Sequence, residues 1–562
     1  MNQPRSGGRI LVDGLSIHGI DTVFCVPGES YLPILDALYE QRRTIHTISC
    51  RQEGGAAFIA EAYAKATGRP GVLLVTRAPG ACNASIGVHT AAQDSTPLVV
   101  LIGQVPRPHL HREAFQELDY QQFYGPLCKW VAQVDAPARI PELLARAFQM
   151  ATSGRPGPVA LALPEDVLSE RADALDTASY QAQVPEPGRE GLSRLRELLD
   201  DASRPLVIAG GGGWNATAVA DLARFAEANS LPVATTFRRQ DRIDNTCSCY
   251  VGALGIGCAA SLVERVREAD LLLVIGARLG DMTTQGYSLV NAPRPAQRLI
   301  HIHPDPCEPG RVFQPTLALC AGVAPFTRAA AALAPLDGER WRTWKRSARA
   351  AYLAQLEPSA GSVGALDMAA VLAHLRGRLP PNAILTTDAG NFSGWMQRFY
   401  EYRSYPGQLG PTNGAMGYGI PAAIAARLAF PDRPVVGFCG DGGLLMSGQE
   451  IATAVHHGVD PVILVVNNNM YGTIRMHQER RYPGRVHATA LSNPEISVWA
   501  KSFGAHGELV TRTEDFPDAF ERALAAGRAA VLELRIDPEA ITTRTTLSAI
   551  RDAAIEGYRG GQ

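Results

Sequence analysis

Apolar residues in this chain form short uninterrupted runs, and longer amphipathic stretches separate those runs. The runs at 71–75, 271–275 and 462–466 are rich in Val, Leu and Ile, as is typical of strands buried on both faces. The stretches between such runs carry a helical pattern. Alternation of the two predicts parallel sheets joined by helices, so we expect an α/β fold.

This alternation divides the chain into three segments of similar size, and its 562 residues are enough for three domains. We predict three doubly wound domains with mainly parallel sheets, at 1–175, 191–335 and 360–545. The polar, proline-containing stretch at 181–190 indicates a linker. After Asp537, the stretch 541–550 is predicted to form a short lid or packing arm.

Composition limits the classes of partner. Hydrophobic residues make up 46% of the chain and charged residues 19%, and the net charge is −2. Such a balance gives no indication of a nucleic-acid or membrane partner. No apolar run reaches membrane-spanning length, and the first nine residues lack an apolar signal core, so we expect a cytoplasmic protein.

Oxygen ligands follow two of the predicted strands in the third segment. Gly440-Asp441-Gly442 comes after the apolar run 435–438, and Asn467-Asn468 comes after the run 462–466. The Asp441 carboxylate and the Asn468 side-chain carbonyl suit Mg²⁺, which commonly shares such ligands with a phosphate. The glycines would let the backbone approach that phosphate. An ordinary strand–helix–strand unit with a glycine turn is the alternative.

The same motif, with its continuation Tyr471-Gly472, resembles the signature of thiamine diphosphate-dependent enzymes, and the closest likeness is to acetolactate synthase large subunits. The resemblance covers nearly the whole chain and implies pyrimidine-binding, central and diphosphate-binding domains in that order. It implies thiamine diphosphate and Mg²⁺ as cofactors, with the Met470 carbonyl as a third metal ligand. The residues that it places at the diphosphate end are Gly390, Asn391, Asp441, Gly442, Gly443, Asn468, Met470, Tyr471 and Gly472.

The resemblance also assigns residues to the ring end of the cofactor. Glu53, in Arg51-Gln52-Glu53-Gly54-Gly55, would relay a proton to the aminopyrimidine, and Pro27, Pro79 and Asn83 would hold that ring. The Gly414 carbonyl would accept the aminopyrimidine N–H, and Met416 would force the cofactor into its bent shape. Plain alternatives are a surface Glu at a helix start and a Met in the core.

In this family the loops of the first segment hold the aminopyrimidine from the opposite subunit. We therefore expect a homodimer or homotetramer with the site at the subunit interface, where Glu53 and Asp441 meet.

Residues near the predicted substrate approach follow the family only in part. By resemblance, Phe115, Gln116 and Lys129 line the approach to the thiazolium C2, although Lys129 also suits a solvent-facing position. His477 stands where acetolactate synthases carry a Trp that helps to select the acceptor. A ring able to take a proton replaces a large apolar wall there, which leaves the acceptor open.

The central segment departs from the family's flavin pattern as well. Arg278–Gly286 replaces the segment that binds FAD in acetolactate synthases, whereas glycine turns remain at 210–213 and 276. FAD, the nucleotide portion of a coenzyme A substrate, and no ligand remain the alternatives for this crevice.

Together these features predict a thiamine diphosphate- and Mg²⁺-dependent enzyme that forms or cleaves C–C bonds. By resemblance it would act on a 2-oxo acid or a related small molecule, by decarboxylation and carboligation. The alternatives are a 2-hydroxyacyl-CoA lyase, another 2-oxo acid decarboxylase, and a non-catalytic family member. The intact Glu53 and metal motif argue against the last.

Overall fold

The computed structural model describes residues 3–358 and 363–560. The predicted domain starts at 1 and 360 lie outside these residues. The chain divides into two compact units: one runs up to Val184 and includes Ile424–Ala429, and the other comprises Pro185–Ala423 and the chain from Phe430 onwards.

The first unit contains a six-stranded sheet in which all neighbours pair in parallel, in the order β3-β2-β4-β5-β7-β6. A separate antiparallel pair joins β1 to β8. The strands are β1 Arg5–Ser6, β2 Thr22–Cys25, β3 His46–Ser49, β4 Gly71–Val75, β5 Leu98–Gln104, β6 Trp130–Gln133, β7 Pro158–Pro164 and β8 Arg171–Ala172. The helices are α1 Gly7–Ile17, α2 Leu32–Glu40, α3 Glu53–Thr67, α4 Ala78–Asp94, α5 Tyr120–Tyr124, α6 Ile140–Thr152 and α7 Glu165–Ser169.

The second unit begins with another parallel sheet of six strands, in the order β11-β10-β9-β12-β13-β14. Its strands are β9 Pro205–Ala209, β10 Val233–Thr235, β11 Tyr250–Ala253, β12 Leu271–Ile275, β13 Arg298–His303 and β14 Leu317–Cys320. Its helices are α8 Arg189–Asp200, α9 Ala216–Ala228, α10 Ala260–Glu268, α11 Val323–Ala331 and α12 Arg342–Gln355.

The same unit contains the third parallel sheet, in the order β16-β15-β17-β18-β20-β19. Its strands are β15 Ile384–Thr387, β16 Gln408–Leu409, β17 Val435–Gly440, β18 Val462–Asn467, β19 His506–Val510 and β20 Ala530–Arg535. The remaining helices are α13 Met368–Arg378, α14 Ser393–Phe399, α15 Gly419–Ala429, α16 Asp441–Ser447, α17 Ile451–His456, α18 Gly472–Arg481, α19 Ile496–Ser502, α20 Phe516–Leu524 and α21 Leu547–Gly560.

These sheets confirm the predicted α/β class. The inner strands are buried along most of their length, β4, β12 and β18 are buried throughout, and helices supply the apolar side chains that cover the sheet faces. Parallel sheets need cover on both faces because their strands are apolar on both. Within the described chain, no helix combines the length and apolarity needed to cross a membrane.

Candidate functional site

A cavity of about 230 Å³ lies where the third sheet ends, next to the loops that follow β15, β17 and β18. Ligands of parallel α/β sheets bind at this carboxyl edge. The cavity brings together all of the cofactor and metal residues predicted from the third segment, namely Gly390, Asn391, Gly414, Met416, Asp441, Gly442, Gly443, Asn468, Met470, Tyr471 and Gly472.

Asp441 supplies a buried carboxylate to this cavity. It is the first residue of α16, it is only 3% exposed, and its Oδ2 accepts a hydrogen bond of 2.8 Å from Asn493 Nδ2. No described Lys, Arg or His forms an ion pair with it. Burial raises the pKa of Asp441, although the Asn493 hydrogen bond lowers it. A bound cation stabilises a buried carboxylate that has no charged partner, so the site fits a divalent metal.

The other two predicted metal ligands lie on the loop after β18. Asn468 Oδ1 accepts from the Met470 N–H at 3.3 Å, and the Met470 carbonyl accepts from the Gly472 N–H at 2.9 Å. Among the described residues, no three His, Cys, Asp or Glu side chains gather in a metal-binding group. A site of one carboxylate, one amide and one backbone carbonyl does not depend on such a group.

The glycines after Asp441 are required by close packing. A Cβ on Gly442 would lie 2.7 Å from the Tyr471 ring, and one on Gly443 would lie 2.0 Å from Asp388 Oδ2. Real Cβ atoms do not approach other atoms this closely. The motif therefore keeps its turn tight against the Tyr471 and Asp388 side chains.

Asp388 organises the loop that carries Met416. It is fully buried, and its carboxylate accepts from the N–H groups of Ala389 (2.7 Å) and Gly417 (2.9 Å), with a longer contact to Tyr418. Burial outweighs these hydrogen bonds and raises the pKa of Asp388 to about 6. Sequence analysis identified Gly390 and Asn391 on the same loop but missed this role of Asp388.

Arg238, from the central segment, supports the same loops. It is buried in a left-handed conformation (φ 56°), and its guanidinium donates to the Asp388 carbonyl (3.0 Å) and the Pro411 carbonyl (2.6 Å). Nothing local in the sequence indicates this contact, because the partners are far apart along the chain.

Apolar side chains complete the cavity, among them Trp395, Ile474 and Ile541. Ile541 is 1% exposed and belongs to a cluster that also contains Met476, Leu547 and Ile550. The predicted arm at 541–550 thus packs against α18 and lines the cavity.

His477 does not line this cavity. It is exposed on α18, one turn after Ile474. Burial, Arg480 and Arg481 together lower the pKa of His477. This shift favours the neutral ring.

The first unit brings the predicted ring-end residues to the carboxyl edge of its own sheet. Glu53 begins α3 and is half-buried, and its Oε2 accepts from Asn83 Nδ2 at 2.9 Å. Pro79 lies in the first turn of α4. The next residue, Gly80, packs close to Glu53, because a Cβ on Gly80 would lie 3.2 Å from Glu53 Oε1. Pro27 lies on the loop after β2, the strand between β3 and β4.

Phe115 and Gln116 lie on a compact loop at the same edge. The Glu117 carboxylate accepts from the N–H groups of His111 (2.6 Å) and Ala114 (3.0 Å), and these backbone bonds lower the pKa of Glu117. The Gln116 carbonyl accepts from the Ala78 N–H at 3.2 Å, which ties the loop to the start of α4. Phe115 is 78% exposed at its tip.

Lys129 lies at the start of a strand, and its place along the substrate approach stays a prediction. It directly precedes β6, its N–H donates to the Pro158 carbonyl, and its ammonium donates to the Ser153 carbonyl at 2.5 Å. Because β6 and β7 run parallel, Lys129 lies at the amino edge.

The glycine turns of the central sheet pack against each other. A Cβ on Gly211 would lie 1.9 Å from the Gly276 carbonyl oxygen, and the Trp214 indole donates to the Gly210 carbonyl at 2.8 Å. Close contact between two strand ends accounts for these glycines, so they do not by themselves indicate FAD or another nucleotide.

Comparison with known proteins agrees with this geometry. Three family models match: the N-terminal TPP binding domain of thiamine pyrophosphate enzymes at residues 5–123, their central domain at 192–330, and their C-terminal TPP binding domain at 388–534. The chain is similar to an acetolactate synthase large subunit of Parasynechococcus marenigrum (strain WH8102), with 36% identity over 91% of this chain and 84% of the relative.

Two further relatives are nearly as similar. Acetolactate synthase isozyme 2 large subunit of Escherichia coli (strain K12) is 30% identical over 95% of this chain and 96% of its own. A probable acetolactate synthase large subunit of Methanocaldococcus jannaschii is 31% identical over 95% and 92%. The chain therefore belongs to the thiamine diphosphate-dependent enzymes, in the branch of the acetolactate synthase large subunits.

Proposed function

We propose that this chain uses thiamine diphosphate and Mg²⁺ to decarboxylate a 2-oxo acid and to join the remaining fragment to a second carbonyl compound. The observation that carries the proposal is the convergence of Asp441, Asn468 and Met470 on one cavity at the carboxyl edge of the third sheet. The names of the relatives support the choice of a 2-oxo acid.

At the diphosphate end, the Asp441 carboxylate, the Asn468 amide oxygen and the Met470 carbonyl would bind the ion. Mg²⁺ prefers oxygen ligands and completes its shell with phosphate oxygens and water. The missing side chains of Gly442 and Gly443 leave their backbone N–H groups accessible to the diphosphate.

At the ring end, Glu53 would exchange a proton with the aminopyrimidine, and the Asn83 amide would hold its carboxylate in place. When bound, the cofactor would supply an acidic C–H at its thiazolium C2, whose conjugate base is the nucleophile for the carbonyl, and a ring that accepts the electron pair left behind when CO₂ departs. Met416 would support the bent shape, and the hydrogen bonds from Gly417 and Ala389 to Asp388 would fix the loop beneath it.

Two copies of the chain would complete the site. The cavity of about 230 Å³ is smaller than the ~300–1,000 Å³ of typical small-molecule pockets, so it suits only part of the cofactor. Leu445 and Met446 are exposed on the helix that Asp441 begins, as expected of a surface that another chain covers. A homodimer or homotetramer would bring Glu53 of one copy to Asp441 of another.

Mixing two inactive variants tests this arrangement. E53Q removes the proton relay and D441A removes the metal carboxylate, so each homodimer should be inactive. After co-refolding in equal amounts, half of the dimers carry one of each, and each mixed dimer regains one intact site, so about a quarter of wild-type activity should return. If both groups belonged to one chain, mixing would restore nothing.

A second candidate, cleavage of a 2-hydroxyacyl-CoA, is favoured by one feature. Exposed His477 replaces the large apolar wall with which acetolactate synthases select their acceptor. Supplying pyruvate alone and a 2-hydroxyacyl-CoA alone distinguishes the two functions. CO₂ and acetolactate from pyruvate support the first, whereas an aldehyde and an acyl-CoA fragment support the second.

A further inference from the structure

The chain after α18 folds back along the loop that holds Asn468 and Met470. The Tyr471 N–H donates to the Thr489 carbonyl, and the Leu491 N–H donates to the Asn469 carbonyl, both at 2.9 Å. Between them, Met470 pairs with Ala490 in an antiparallel bridge. This backbone pairing brings the next residues of the returning segment, including Asn493, to Asp441.

The Asn493 side chain meets an unusually oxygen-rich environment there. Its Nδ2 lies 2.8 Å from Asp441 Oδ2, 3.1 Å from Asn469 Oδ1 and 3.2 Å from Asn467 Oδ1. An amide nitrogen carries only two hydrogens, so it cannot serve three acceptors fully. Asn493 is thus the hydrogen-bond donor around which the oxygens beside the proposed metal site gather.

Glu533 fixes the direction in which these amides point. It is 1% exposed, it pairs with Arg535 at 2.9 Å, and it accepts from Asn467 Nδ2 at 2.9 Å. A carboxylate in an ion pair only accepts hydrogen bonds, so Asn467 must turn its nitrogen towards Glu533 and its oxygen towards Asn493. Asn493 must then present its nitrogen to Asp441.

We propose that Asn493 is a positioning residue for the divalent ion: its amide holds the Asp441 carboxylate in one orientation, both before and after the ion binds. This inference rests on the proposed function. Partners that orient metal ligands typically change metal affinity by ~10–100-fold when they are removed. A single hydrogen bond to a charged group is worth a similar factor.

Calorimetry can measure this effect directly. Thiamine diphosphate is titrated into the purified protein at stepped Mg²⁺ concentrations, and the Mg²⁺ concentration that gives half-maximal binding is determined. N493A should raise it by about tenfold or more. N493S, which keeps one hydroxyl donor, should need a Mg²⁺ concentration between those of wild type and N493A. N382A, at an exposed Asn of the same unit, is the matched control and should not change it.

A kinetic comparison separates positioning from general damage. At saturating Mg²⁺ the ion itself fixes the carboxylate, so kcat of N493A should stay within about twofold of wild type while the Mg²⁺ requirement rises. An unchanged Mg²⁺ requirement in N493A, or a loss of kcat without a change in that requirement, would overturn the inference.

Two controls keep the test decisive. If N493A does not fold, N493S and E533Q replace it in the test. E533Q allows the Asn467 amide to turn, so it should also raise the Mg²⁺ requirement. A wild-type protein that binds no thiamine diphosphate with Mg²⁺ would refute the proposed function itself. Normal wild-type binding with normal binding by N493S and E533Q would refute only the role of Asn493.

Discussion

Asp388 offers an unusual pH dependence of stability. Its carboxylate has no solvent contact, yet it accepts backbone hydrogen bonds from Ala389 and Gly417. The two influences oppose each other, because burial favours the neutral acid and hydrogen bonds favour the anion. Burial wins and raises the pKa of Asp388 from 3.8 to about 6.

The direction of the effect follows from proton binding. Between these two pKa values the folded protein keeps a proton that the unfolded chain has already released, so the free energy of unfolding falls as pH rises. A shift of about two units corresponds to ~3 kcal/mol. The loss begins near the unfolded pKa and is complete above the folded pKa of about 6.

The isosteric variant D388N isolates this contribution, because Asn resembles the protonated acid and does not titrate. Urea unfolding of the cofactor-free protein at pH 4 to 7 gives the free energy of unfolding of both proteins, and other titrating groups cancel in the difference. The free energy of unfolding of wild type minus that of D388N should fall by ~2.4 kcal/mol across this range, because part of the total of ~3 kcal/mol is already lost below pH 4. D432N, at an exposed site, is the control. A difference that rises with pH would show that the backbone hydrogen bonds lower the pKa of Asp388 more than burial raises it, and would refute the reasoning.

Three further predictions concern single residues. E53Q should retain thiamine diphosphate but slow proton–deuterium exchange at C2 by ~10²–10⁴-fold, which NMR of the bound cofactor measures; a wild-type exchange rate would remove Glu53 from its role. G443A should lower the free energy of unfolding, measured by urea titration, by ~1–3 kcal/mol or more, because its Cβ meets Asp388 at 2.0 Å, whereas G377A, with nothing within 4 Å, should be neutral or stabilising. K129M should raise KM for the substrate, as predicted for a residue that lines the approach, whereas unchanged kcat and KM would remove Lys129 from that role.

The inner strands of each sheet could be predicted because they are buried on both faces. β4, β12 and β18 read as continuous apolar runs for this reason. Edge strands carry no such signal, since β6 and β14 are short and partly exposed. Their sequences alternate weakly or not at all, so sequence analysis missed them.

Local sequence signals also decide which site residues could be predicted. Asp441, Asn468 and Met470 lie on continuous motifs directly after predicted strands, so their convergence follows from the fold. Arg238 and Asn493 contribute through contacts formed only in the tertiary structure, and no local pattern marks them. The position of Lys129 at the start of β6 could not be predicted, because β6 was not recognised as a strand.

A crystal structure of the protein grown with thiamine diphosphate and Mg²⁺ would test the central claim most directly. We expect one ion bonded to Asp441, Asn468 and the Met470 carbonyl at ~2.1 Å, with the aminopyrimidine of the same cofactor against Glu53 of a neighbouring copy. A diphosphate bound elsewhere, or an ion without Asp441 among its ligands, would contradict the account.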